Sequence, residues 1–101
     1  MIQEDPDIEI FLEYSAGMMH IEALRANWEQ DFVDAVANLR VEWIKEGFRR
    51  GFAKSLAGQL ASRVYERETG WDFDTTEEFH EHLMGLWTKF YGDADPAESL
   101  N

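Results

Sequence analysis

Apolar positions recur at three- and four-residue steps along most of this chain. From about His20 to Ile44, the residues Ile21, Leu24, Trp28, Phe32, Ala35, Val36, Leu39 and Trp43 fall on a single stripe when each residue is turned by about 100°. That spacing predicts one long helix with a buried face. Ahead of it, Ile8, Phe11, Leu12, Met18 and Met19 also fit a helix, opened by Asp7 after Pro6 and loosened at Gly17. Ile8, Ile10, Leu12 and Tyr14 alternate as a strand would, but a lone strand leaves its backbone groups without partners, so helix is the expectation here too.

Beyond Trp43 the pattern changes. Ile44, Phe48, Phe52, Leu56, Leu60 and Val64 step by four, which drifts around a helix by about 40° each time and makes a broad, rotating apolar face. Beside it, Gly47, Gly51, Ser55, Gly58 and Ser62 form a strip with almost no side chain. Small residues at this spacing let another helix approach closely, within the fold or between copies. The competing reading is a bend, because Gly47 and Gly51 each weaken a helix by about 1 kcal/mol relative to alanine and can mark where one long helix breaks; close approach is preferred. Gly70, after Thr69, has the position of a helix-ending glycine. Thr75 and Glu78 stand at capping-box spacing, and Phe79, Leu83, Leu86, Trp87 and Phe90 give the stripe of a last helix that Gly92 ends. The sequence DADPAESLN that follows has no apolar periodicity. The expected fold is all-α, a compact bundle of three or four helices in one domain over 1–92, with a flexible acidic tail over 93–101.

Charge changes this picture by being segregated. Residues 1–39 hold nine carboxylates against Arg25, and residues 68–101 hold nine against Lys89, so each end carries a net −8. Between them, Arg40, Lys45, Arg49, Arg50, Lys54, Arg63 and Arg67 face only Glu42, Glu46 and Glu66, a net +4, which leaves the chain at −12. The basic middle is therefore expected to be partly neutralised by the acidic arms, leaving acid outside for a cationic partner. Anionic lipid and bare nucleic acid are poor partners for such a chain, and no stretch approaches the ~18 apolar residues of a membrane span. The acidic start, MIQEDPDIEIF, lacks the basic and apolar regions of a secretory signal, which makes the cytoplasm the expected location. Seven Phe, four Trp and three Tyr are generous for a small helical domain, and some of these rings are expected at an interface.

Candidate chemistry is sparse. Cysteine is absent, which removes thiol catalysis and thiolate metal sites. His80 and His82 lie among Glu77, Glu78 and Glu81, but taking Phe79 as zero they stand near 100° and 300°, on opposite flanks of the stripe, so one helix cannot aim both at one ion. No metal ligands, catalytic residues or cofactor are assigned. Ser15, Ser55, Ser62 and Ser99 lack any nucleophile motif, and Gly47 to Gly51 is not a phosphate loop because it lies inside a helical pattern.

The acidic connector is the preferred functional candidate. Asp72, Asp74, Glu77, Glu78 and Glu81 cluster around a helix start, with Trp71 and Phe73 interleaved as aromatic anchors. Carboxylates along helices can imitate DNA phosphates, a strategy of small phage and plasmid proteins that block restriction or CRISPR enzymes. The leading expectation is a non-enzymatic protein-interaction module that engages a basic partner and acts as an inhibitor of a nucleic-acid-binding machine. The alternatives are a self-assembling protein whose Gly47, Gly51, Ser55, Gly58, Ser62 strip makes a homodimer, and a metal-dependent helical enzyme.

Overall fold

The computed structural model describes residues 5–20 and 24–100. Pro6–Met19 forms α1, Trp28–Ala37 α2, Glu42–Lys54 α3, Ser62–Thr69 α4 and Thr76–Tyr91 α5; a short π-helical turn, Ser55–Gln59, follows α3, and a 3-10 helix spans Pro96–Leu100. The described residues are all-helical, as expected, with five α-helices rather than three or four.

The extra helices arise where the apolar stripe runs on across a break. The stretch from His20 to Ile44 is not one helix: His20 caps the end of α1, Ala26 and Asn27 turn, and the chain leaves helix again over 38–41 before α3 begins. Asn38 closes α2 with its N–H on the Asp34 carbonyl, and Val41 opens α3 by accepting from the N–H groups of Ile44 and Lys45. Ile21 lies outside the described residues. Of the others on the expected stripe, Phe32 and Val36 are buried, Leu24, Trp28, Ala35 and Leu39 half-buried, and Trp43, past the break, is 67 % exposed. The second long pattern is cut as well. Gly58 takes φ 91, in the left-handed region that favours glycine, and the chain redirects there so that Leu60 and Val64 reach the core from a new helix. The four-residue drift is thus a change of axis and not a rotating face.

At Gly47 and Gly51 the close approach holds and the bend does not, since both lie inside α3; the chain bends later in the strip. Gly58 is the bend. Gly51 is the close approach: a Cβ at this position would run into the Asp7 backbone carbonyl, and one at Gly47 would lie 2.7 Å from the Ile10 Cδ1. The helix that approaches is α1 of the same chain. Where α1 crosses α3, Ile8 and Phe11 sink onto Phe48 and Phe52, all four fully buried, with the Phe11 ring 4.7 Å from Phe52 and 5.5 Å from Phe48. Helix α4 also packs on α1, while α2 lies against α1 and α5. The generous aromatic content fills this interior: Phe32 meets Phe90 at 4.9 Å and Phe52 meets Trp87 at 5.2 Å. Trp43 is the exposed exception among the described Phe, Trp and Tyr side chains.

Charge clamps the same crossing. Asp5 is the N-cap of α1, its carboxylate accepting from the N–H groups of Asp7 and Ile8, and it also receives the Lys54 Nζ at 2.9 Å. Asp7 accepts from Lys54 at 3.0 Å and from the Arg50 Nε at 3.0 Å. Burial pushes the Asp7 carboxyl up, but the hydrogen bonds from Arg50 and Lys54, with their charges, outweigh it and hold the group below the usual carboxylate range. Lys54 is raised, chiefly by its bonds to Asp5 and then Asp7. Part of the basic middle is therefore neutralised by the N-terminal arm. Along α3, Arg49 instead lies over the Tyr91 ring, 4.6 Å from its centroid, and donates from Nε to the Ser99 hydroxyl at 3.0 Å. Through that contact the 3-10 helix, in the segment expected to be a flexible tail, sits against α3.

Two substitutions separate the close approach from ordinary helix propensity. Gly51→Ala should destabilise by about 2 kcal/mol or more, since backbone has to yield, whereas Gly17→Ala, with nothing within 4 Å of the added carbon, should stabilise by about 0.5–1 kcal/mol. Equal effects in urea unfolding would refute the tight crossing. Ser15 is fully buried in α1 and its hydroxyl has no partner among the described residues, so Ser15→Ala should raise stability by about 1 kcal/mol. A loss of that size would instead reveal a hydrogen bond.

Candidate acidic interaction site

The connector between α4 and α5 is a folded element with acid on its outside. Helix α4 stops because Gly70 takes the left-handed conformation, φ 80, and returns its N–H to the Glu66 carbonyl. Helix α5 starts where Thr75, extended, accepts from the Glu78 N–H at 3.1 Å. The Glu78 carboxylate reaches back to the Asp74 N–H at 2.8 Å, one residue beyond the Thr75 N–H that an ideal capping box would use. Between these ends, the Phe73 N–H donates to the Glu66 carboxylate at 2.8 Å and the Trp71 N–H to the Thr69 hydroxyl at 3.3 Å.

The rings of this connector point inward. Trp71 is half-buried, its indole N–H donating to the Met19 carbonyl at 2.8 Å, and its ring meets Trp28 at 5.8 Å. These contacts tie the connector to the body at the end of α1. Asp72, Asp74, Glu77, Glu78 and Glu81 are all exposed. Among the described residues none of them takes part in an ion pair. The structure thus leaves the five carboxylates exposed along one short stretch of chain, next to a Trp71 that is bonded to the end of α1.

The helical spacing puts His82 on a flank of the α5 stripe, and the structure turns it toward Tyr65 and Trp71. Its Nε2 lies 2.8 Å from the Tyr65 hydroxyl, and its ring packs against Trp71 at 4.7 Å, Phe73 at 5.1 Å and Tyr65 at 5.5 Å. Burial pushes the imidazole down to about 4 and the Tyr65 phenol up, so at neutral pH the pair is an uncharged hydrogen bond inside an aromatic box. The only trace of this in the sequence is that His82 stands beside the apolar stripe while Trp71 and Phe73 precede the helix; the Tyr65 partner comes from another element and has no local signal. His80 is exposed on the opposite flank. Among the described residues no group of three or more His, Asp or Glu side chains is placed to hold a metal ion.

The self-association strip has a different fate from the acidic cluster. Gly47, Gly51 and Ser55 are buried, Ser55 donating to the Gly51 carbonyl at 2.7 Å. With α1 lying on Gly47 and Gly51, a second copy could not use that part of the strip without displacing the helix. Gly58 is exposed and Ser62 half-buried, and both belong to the turn and helix that follow. Among the described residues no helix is long and apolar enough to cross a membrane. Comparison with protein-family models, with curated proteins and with solved structures finds no match, so the functional reading rests on the geometry of this chain.

The His82 box makes stability depend on pH in a defined window. The unfolded imidazole takes a proton near 6.5 and the folded one near 4, so between these values the unfolded state binds more protons and stability falls as pH is lowered. Above pH 6.5 the contribution is complete. Urea unfolding of the wild type should lose about 1–3 kcal/mol more than His82→Gln between pH 7 and pH 4, the range allowing for partial solvent access. Parallel pH profiles for the two proteins would show that the imidazole is not buried as described.

Proposed function

We propose that this protein is a non-enzymatic interaction module of the cytoplasm, whose acidic connector and α5 start bind the basic surface of a protein partner. The occupied surface is one that otherwise holds nucleic acid, and the module acts as an inhibitor of that machine. The observation that carries this reading is the unequal treatment of charge. Asp5 and Asp7 are tied to Arg50 and Lys54 at 2.9–3.0 Å, whereas Asp72, Asp74, Glu77 and Glu81 stand exposed without an ion pair among the described residues and, beside them, Glu78 bonds only backbone N–H. Clustered carboxylates of one sign repel one another, and a folded connector that fixes five of them together costs stability unless a cationic surface meets them. The inward rings supply the rigidity that such recognition needs, because an ordered loop loses little conformational freedom on binding.

The complex should form fast and weaken steeply with salt, as electrostatically steered association does. Capture on immobilised protein at low salt, release at high salt and mass spectrometry would supply the partner, and displacement of its labelled DNA or RNA would then test inhibition directly. Asp72→Asn/Glu77→Gln/Glu81→Gln, which leaves the capping Glu78 intact, should weaken that displacement roughly tenfold at low salt with little change in Tm. An unchanged affinity in a folded triple variant would remove this surface from the interaction.

A further inference from the structure

We propose that the cavity between the α3–α4 turn and the start of α5 is a binding site for a small organic carboxylate with an aromatic body. This inference is independent of the acidic-surface reading. The cavity measures about 380 Å³ and has an apolar floor of Leu56, Leu60 and Phe79, all buried. That volume lies at the lower end of the range for small-molecule sites, which combine apolar walls with a few polar groups. Its polar side chains are Arg63, His80 and the hydroxyl residues Ser55, Ser62 and Thr76, of which Ser55 already donates to the Gly51 carbonyl.

Two features select the charge of the ligand. In a chain with 21 Asp and Glu side chains, no carboxylate lines this cavity among the described residues. The groove between α2, α3 and α5, of about 290 Å³, is by contrast lined by Glu42 and Glu46 as well as Lys45 and Arg49. Secondly, Arg63 is unengaged. Lys45, Arg49, Arg50 and Lys54 each donate to an acceptor within the fold; Arg25, Arg40, Arg63 and Lys89 have neither a side-chain hydrogen bond nor an ion pair among the described residues, and of these Arg63 lines the cavity. A guanidinium presents a planar fork that matches a carboxylate. The imidazole of His80 adds an N–H donor in either tautomer.

Net charge then sets a limit on that anion. Beyond a Debye length of ~8 Å the rest of the chain is screened at physiological salt, so the local guanidinium decides the sign, but a single cation suits a monoanion better than a doubly charged phosphate. The floor decides the remainder of the ligand, since Leu56, Leu60 and the aromatic Phe79 line it with apolar side chains that suit an apolar body.

The test uses 2-naphthoate and its neutral isostere 2-naphthamide as probes, titrated into the full chain and followed by amide and methyl NMR shifts. Naphthoate should bind saturably at or below about 1 mM, move the resonances of Leu56, Leu60, Arg63 and Phe79, and bind about tenfold more tightly than the amide, as a charge-assisted bond requires. Arg63→Gln, at an exposed position, should keep the fold and erase the preference for the acid; His80→Gln should reduce it in part. Equal affinity for acid and amide, no saturation, or shifts confined to Val33, Val36 and Tyr91 of the other groove would each overturn the proposal.

Discussion

Two helix backbones can touch only where one of them lacks a side chain, and the α1–α3 crossing uses Gly51 for this. With the Asp7 carbonyl resting on that glycine, Ile8 and Phe11 descend far enough to be fully buried among Phe48 and Phe52. The approach also places Asp5 and Asp7 against Arg50 and Lys54, one turn of α3 apart, so that the Asp5 carboxylate serves both as helix cap and as partner of Lys54, with Asp7 bridging Arg50 and Lys54 beside it. Apolar packing supplies most of the energy at this crossing. The partly exposed pairs add about 1 kcal/mol or less each, but they fix which residue of α1 faces which residue of α3.

Elements whose ends carry chemical markers were legible in the sequence. Helix α5 was readable from Thr75 to Gly92 because a cap, an apolar stripe and a terminal glycine agreed, and α4 was readable at its end for the same reason at Gly70. The breaks inside 20–44 were not legible, since Leu39 and Trp43 continue the helical spacing across 38–41 with no Gly or Pro to mark the interruption. Only Asn38, a weak helix former, stands there. Exposure of Trp43 follows from the same error: once α3 starts a new axis, its first turn no longer extends the α2 stripe. The small-residue strip was legible as chemistry and not as geometry, because spacing alone cannot say whether the helix that arrives belongs to the same chain.

The candidate site was legible in its acid and not in its support. Five carboxylates between Asp72 and Glu81 can be read directly, and all five are exposed. What holds them is assembled from distant parts: Trp71 bonds to the end of α1 through Met19, His82 of α5 bonds to Tyr65 of α4, and Glu66 of α4 receives the Phe73 N–H. Contacts over 17 and 52 residues of sequence leave no periodic trace, which is why an aromatic box appeared as two unrelated aromatic residues beside an unplaced histidine.

These supports explain how a segment with so much like charge can remain ordered. Repulsion between exposed carboxylates is worth a few tenths of a kcal/mol per pair in water, small beside the burial of an indole and two further rings against an uncharged imidazole. The neutrality of His82 matters to that balance: a buried imidazolium would bring desolvation cost into the centre of the box, whereas the neutral ring contributes a hydrogen bond and ring contacts only. The acids can therefore be placed on the outer side of the connector because the inner side is apolar and closed. The charge pattern of the chain is divided accordingly, with Asp5 and Asp7 anchoring α1 on α3 and the connector acid turned outward to solvent.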